Sequence, residues 1–108
     1  MEKTCIYDLV WPTCRASPVL AGRVGERTRE LLTQAAEANG WRVLALSIEP
    51  AQVAIRVAAD PQVSPHILVR TLKAATSPVL RDEFPELRKL PSLWTREYAA
   101  MTVSPKID

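Results

Sequence analysis

Trp41-Arg42-Val43-Leu44-Ala45-Leu46-Ser47-Ile48-Glu49-Pro50-Ala51-Gln52-Val53-Ala54-Ile55-Arg56-Val57-Ala58 is the stretch that decides the fold. Its first part, Trp41 to Ile48, alternates, with Val43 and Ala45 on one face and Leu44, Leu46 and Ile48 on the other. Its second part, Gln52 to Ala58, sets Val53, Ile55 and Val57 against Gln52, Ala54, Arg56 and Ala58. Glu49-Pro50-Ala51 leaves room only for a short turn, so the two parts form an antiparallel hairpin.

The periodicity changes on both sides of this hairpin. Upstream, Val24, Thr28, Leu31, Leu32, Ala35 and Ala38 recur at three- and four-residue spacing, which predicts a helix over 21–38. Asn39-Gly40 stops it, because glycine tolerates the left-handed conformation. Before that helix, Thr4 to Trp11 reads as a strand, apolar on both faces and therefore central in its sheet, and Pro12 ends it. Downstream, Ser64-Pro65 caps a second helix carrying Leu68, Leu72, Ala75 and Val79 on one stripe, which Pro78 should bend or interrupt. Phe84 to Pro91 is a polar connection, Leu93 to Val103 a last strand, and Ser104 to Asp108 a frayed tail. The order predicts an α+β, ferredoxin-like βαββαβ domain: a four-stranded antiparallel sheet with two helices on one face.

Composition sets outer bounds. A chain of 108 residues, 47% hydrophobic and 24% charged, is one globular domain, 1–108. Fourteen Lys and Arg against 12 Asp and Glu give a net charge of +2, which permits a nucleic-acid partner without demanding one. No apolar run reaches the roughly 18 residues of a membrane span, and the first residues carry no signal segment, so a cytoplasmic protein with no membrane partner is expected. Two cysteines, Cys5 and Cys14, and one histidine, His66, are too few for a zinc site, and the thiols read as reduced core or rim residues. His66 falls in the first turn of a helix and reads as a surface residue. Gly22, Gly25 and Gly40 make no phosphate loop. Taken alone, the residues describe a small α+β domain with no visible active site.

Several phrases resemble the single-tyrosine HUH transposases of small bacterial insertion sequences, and their relatives that process repetitive extragenic palindromes. Tyr7-Asp8-Leu9-Val10-Trp11 is similar to the family's first strand, commonly Tyr-His-Leu-Val-Trp, and Arg15 through Leu20 follows as the family's basic loop does. Trp41 to Leu46 is similar to the strand before the active-site strand. Pro50-Ala51-Gln52-Val53-Ala54-Ile55 stands where the family has Pro-Asp-His-Val-His-Leu. Ser64-Pro65, Leu72-Lys73, Glu83-Phe84-Pro85-Glu86-Leu87 and Leu93-Trp94 complete a resemblance that spans nearly the whole chain.

That resemblance implies a degenerate member. The family's two histidines hold Mg²⁺ or Mn²⁺; here their positions are Gln52 and Ala54, and the preceding Asp is Ala51, so no metal or other cofactor is expected. The family's tyrosine nucleophile lies on a third helix beyond the last strand, and the chain is expected to lack that helix. Tyr98 matches a position on the last strand and reads as a structural aromatic. The expected function is a transposase-like protein without catalysis that keeps binding to single-stranded or hairpin DNA through Arg15, Arg23, Arg27, Arg70, Lys73 and Arg81. Against this stands the reading of those cations as solvated helix faces paired with Glu26, Glu30 and Asp82. The alternative function is a dimeric protein-interaction module, or a decayed remnant with no nucleic-acid role. The resemblance also implies a homodimer joined sheet edge to sheet edge.

Overall fold

β1 (Cys5–Pro12) lies inside a four-stranded sheet, between β3 (Gln52–Ala59) and β4 (Ala99–Val103), with β2 (Arg42–Glu49) beyond β3. Every neighbouring pair is antiparallel. α1 (Gly22–Ala38) and α2 (Pro65–Glu83) pack against each other and cover one face, which makes the expected α+β ferredoxin-like order. The computed structural model describes residues 4–103, and the expected frayed tail lies outside them.

The central position of β1 follows from its two apolar faces. Tyr7, Leu9 and Trp11 are buried toward the helices, beside Val53, Ile55 and Val57 of β3. Leu31 and Leu32 of α1 and Leu68, Leu72 and Leu80 of α2 close the core from above. Two buried threonines in the helices are satisfied within their own turns: Thr28 donates to the Val24 carbonyl at 2.7 Å and Thr76 to the Leu72 carbonyl at 2.9 Å. Ser64 caps α2 by accepting the Ile67 N–H at 3.2 Å.

Four expectations need correction. The last strand begins at Ala99, not Leu93. Leu93 and Trp94 instead plug the core: the Trp94 indole N–H donates to Thr76 Oγ1 at 2.9 Å, and its ring meets Trp11 edge to face with centroids 5.9 Å apart. Pro12 does not end β1 but is its last paired residue, opposite Gln52, and its carbonyl accepts the Thr95 N–H at 3.3 Å. A β-bulge between Val43 and Ala45 shifts the face assignment in β2. Val43 therefore joins Leu46 and Ile48 toward the helices, and Leu44 is left exposed. α2 runs through Pro78, an exposed residue, without interruption.

Candidate nucleic-acid interface

The face of the sheet turned away from the helices carries Gln52, Ala54 and Arg56 of β3 at two-residue spacing. Gln52 has Pro12 on one side and Glu49 on the other; Ala54 has Val10 and Ser47. Next along the face, Arg56 donates from Nε and Nη2 to the two Asp8 carboxylate oxygens at 2.7 and 2.9 Å. This fork holds the Asp8 carboxyl below its ordinary range and pushes the guanidinium value up. A shallow groove of about 490 Å³ runs here, lined by Asp8, Val10, Ala45, Ser47, Ala54 and Arg56.

A divalent metal does not fit this face. Gln52 offers one neutral amide oxygen and Ala54 none, Glu49 opposite Gln52 adds a single carboxylate, and the nearby Asp8 carboxylate is committed to Arg56. Among the described residues no three His, Cys, Asp or Glu side chains converge.

The six candidate cations divide. Arg27 ties the helices together, donating to both Glu83 oxygens at 2.9 Å and to Glu30 at 3.0 Å. Pairing with Glu30 matches the solvated-face reading; Glu83, a residue of the other helix, was not legible from spacing along α1. Arg81 holds the chain after α2, donating to the Leu90 carbonyl at 3.1 Å and the Pro91 carbonyl at 3.4 Å. Asp82 pairs with Arg88 at 3.4 Å. Arg23 is exposed on the first turn of α1. Arg15 is exposed in a 3₁₀ turn, Cys14–Ala16, where Arg15 and Ala16 both take positive φ, 58° and 52°.

Arg70 and Lys73 do come together, in a second groove of about 490 Å³ between α2 and the segment leading into β4. Lys73 Nζ donates to the Thr95 carbonyl at 2.7 Å and the Glu97 carbonyl at 3.3 Å, and lies 6.0 Å from the Tyr98 ring centroid. Burial pulls the Lys73 amine below the usual lysine value. His66 faces Tyr98 with ring centroids 6.2 Å apart at 38°. Arg96 completes the lining, which includes no acidic side chain. Sequence reasoning missed Arg96 and the His66–Tyr98 pair. The available signal was a cation two residues from an aromatic in Arg96-Glu97-Tyr98.

Residues 2–107 match the sequence profile of the family described as "Transposase IS200 like". The chain belongs to the IS200-like transposase family. Within it, the chain is similar to the ISDra2 transposase TnpA of Deinococcus radiodurans, 29% identical in an alignment 101 residues long that covers 91% of this chain and 72% of that protein. A crystal structure of a protein from Deinococcus radiodurans R1, described there as a transposase, superposes with a TM-score of 0.88 at 29% identity, over 96% of this chain and 82% of that one. A REP-associated tyrosine transposase, solved bound to a REP hairpin, shares the fold with a TM-score of 0.69 at 10% identity, over 94% of this chain and 58% of its own. No helix among the described residues of this IS200-like chain is long and apolar enough to cross a membrane.

Proposed function

We propose that this IS200-like chain binds single-stranded or hairpin DNA and does not cut it. The observation that carries the reading is the open face of the sheet, where Gln52 and Ala54 stand at the two positions that resemble the family's metal-binding histidines. A phosphodiester on that face would meet no Lewis acid to draw off developing charge. Nor is a phenol aimed there among the described residues. The sequence has two tyrosines. Tyr7 is buried toward the helices, and burial raises its phenol value further, which disfavours the nucleophilic anion. Tyr98 lines the other groove. Binding is supported by that groove, whose cations face no acidic side chain, and by family membership.

The proposed assembly is a homodimer joined through β4. That strand pairs with β1 on one side only, has no charged residue and exposes Met101, so its other edge is suited to a second strand. Light scattering is expected to give twice the chain mass.

The test is incubation with single-stranded hairpin DNA and Mn²⁺ or Mg²⁺, read on native and denaturing gels. A shifted band that weakens with salt, with no covalent or nicked product, is expected. A covalent protein–DNA band that disappears in Tyr98→Phe overturns the loss of chemistry. Absence of any shift at low salt overturns binding and favours the interaction module or the decayed remnant.

A further inference from the structure

We infer that Asn39 is a modification site: when the last turn of α1 opens, its side chain deamidates through the Gly40 nitrogen, and the acidic product keeps that turn from closing as before. Asn39 is the one asparagine of the sequence, and a following glycine gives the attacking nitrogen its least hindered approach. Both residues are exposed, so water reaches them. The reaction needs no other reagent. The Gly40 nitrogen gives its proton to solvent base and bonds to Asn39 Cγ. The Cγ–Nδ2 bond breaks, Nδ2 leaves as ammonia, and a five-membered imide closes. Water then opens the imide at either carbonyl, giving aspartate or an isoaspartate whose main chain runs through Cβ. Nothing is oxidised or reduced.

The closed turn holds each group off that path. α1 ends in a Schellman arrangement: the Gly40 N–H donates to the Glu37 carbonyl at 3.0 Å and the Trp41 N–H to the Ala36 carbonyl at 2.9 Å. The leaving nitrogen, Asn39 Nδ2, donates to the Ala35 carbonyl at 2.8 Å. Asn39 has a ψ of 5°, which sets the Gly40 nitrogen over the Asn39 backbone nitrogen and away from the side chain. Ring closure needs Cβ, Cα, C and the Gly40 nitrogen close to one plane, so ψ must rotate. That rotation breaks the Gly40 and Trp41 hydrogen bonds together. Reaction is thereby confined to the open turn, and its rate in the folded chain is the unfolded rate multiplied by the open fraction.

The product cannot restore the cap. A carboxylate has no N–H for the Ala35 carbonyl, and it adds negative charge where the last helical carbonyls already concentrate it. The last turn of α1 has no basic residue to offset that charge. Isoaspartate also lengthens the main chain just before Trp41, which is buried and leads directly into β2 at Arg42. Each opening that ends in reaction is therefore recorded in one direction only.

The experiment keeps the full chain at mildly alkaline pH, folded in buffer or unfolded in urea, and follows it by intact mass, peptide mapping and an isoaspartate methyl-acceptor assay. The unfolded chain should deamidate at Asn39, and the folded chain roughly ten-fold or more slowly. Urea below the unfolding midpoint should raise the folded rate in step with hydrogen exchange at the Gly40 and Trp41 amides. Asn39→Asp carries one of the two products; those two amides should exchange faster in it than in wild type, while amides in the middle of α1 keep their protection. Should Asn39→Asp not fold, aged wild type separated by ion exchange supplies the product for the same measurement. A folded chain that deamidates as fast as the unfolded one would show that the turn is no gate, and the inference fails. It fails equally if the acidic product exchanges like wild type, or if the unfolded chain does not react at Asn39.

Discussion

Arg56 and Asp8 face each other across β3 and β1 as a fork on a carboxylate, at 2.7 and 2.9 Å, on the side of the sheet that no helix covers. Arg27 and Glu83 repeat the geometry between α1 and α2. In both pairs the arginine lowers the carboxyl value in the folded state. As pH falls below about 5, the unfolded chain takes up protons before the folded one does, so stability rises with pH in that window. The contribution is complete above the unfolded carboxylate value of about 4 and is lost as pH falls through the depressed folded values. Each pair is solvent-exposed, so the effect is small and sensitive to salt. Thermal melts between neutral and acid pH should show a shallower slope in Asp8→Asn than in wild type. Identical slopes would mean that the Asp8–Arg56 fork does not persist in solution.

Gly25 permits a close approach between α1 and the chain before it. A Cβ built there would stand 2.4 Å from the Leu20 carbonyl oxygen, a backbone atom that is itself held because the Leu20 N–H donates to the Pro50 carbonyl at 2.9 Å. Alanine would gain up to about 1 kcal/mol in helix propensity. Overpacking against fixed backbone costs about 1–3 kcal/mol and wins. Gly25→Ala should lower the urea midpoint, with a net loss on the order of 1–2 kcal/mol. A variant as stable as wild type would show that α1 can shift away from the loop before it.

The two buried tryptophans should respond differently to loss of the indole N–H. Trp94 donates to Thr76 Oγ1, whereas Trp11 Nε1 is buried without a partner among the described residues. Trp94→Phe removes a hydrogen bond and leaves a hydroxyl short of a donor. Trp11→Phe removes a polar atom whose burial already costs about 1–3 kcal/mol, which offsets part of the lost packing. Chemical denaturation should place Trp11→Phe above Trp94→Phe by about 1–2 kcal/mol. The reverse order would mean that the Trp11 N–H is stabilised by its edge-to-face contact with Trp94.

The parts of the fold that were legible in the sequence are those set by local periodicity. The hairpin, both helices and the central place of β1 follow from alternation and from three- and four-residue spacing. The bulge at Leu44 was not legible, because alternation by composition continues through it; only pairing with Val57 and Arg56 of β3 reveals the extra residue. Leu93 and Trp94 read as strand because they are apolar, yet their burial comes from the far side of the core, through Thr76 and Trp11. The site divides in the same way. Gln52 and Ala54 share a face because strand geometry requires it. The groove joins His66 and Arg70 to Arg96 and Tyr98, residues about 30 positions apart, and no spacing rule connects them.

Restoring histidines tests whether chemistry was lost at the face described. Gln52→His with Ala54→His places two imidazoles two residues apart on β3, with Glu49 across from the first. Titration calorimetry should detect Mn²⁺ binding to the double variant and not to wild type. The neighbouring guanidinium opposes it, because Arg56 lies two residues beyond position 54 on the same face and occupies the one other carboxylate there, Asp8. Adding Arg56→Gln removes that positive charge and frees the Asp8 oxygens, so the triple variant should bind Mn²⁺ more tightly than the double. If the triple variant binds no better, Asp8 does not reach the metal, and the fork does not govern metal binding at this face. If neither variant binds, positions 52 and 54 do not present their side chains to a common point, and the reading of the open face is wrong.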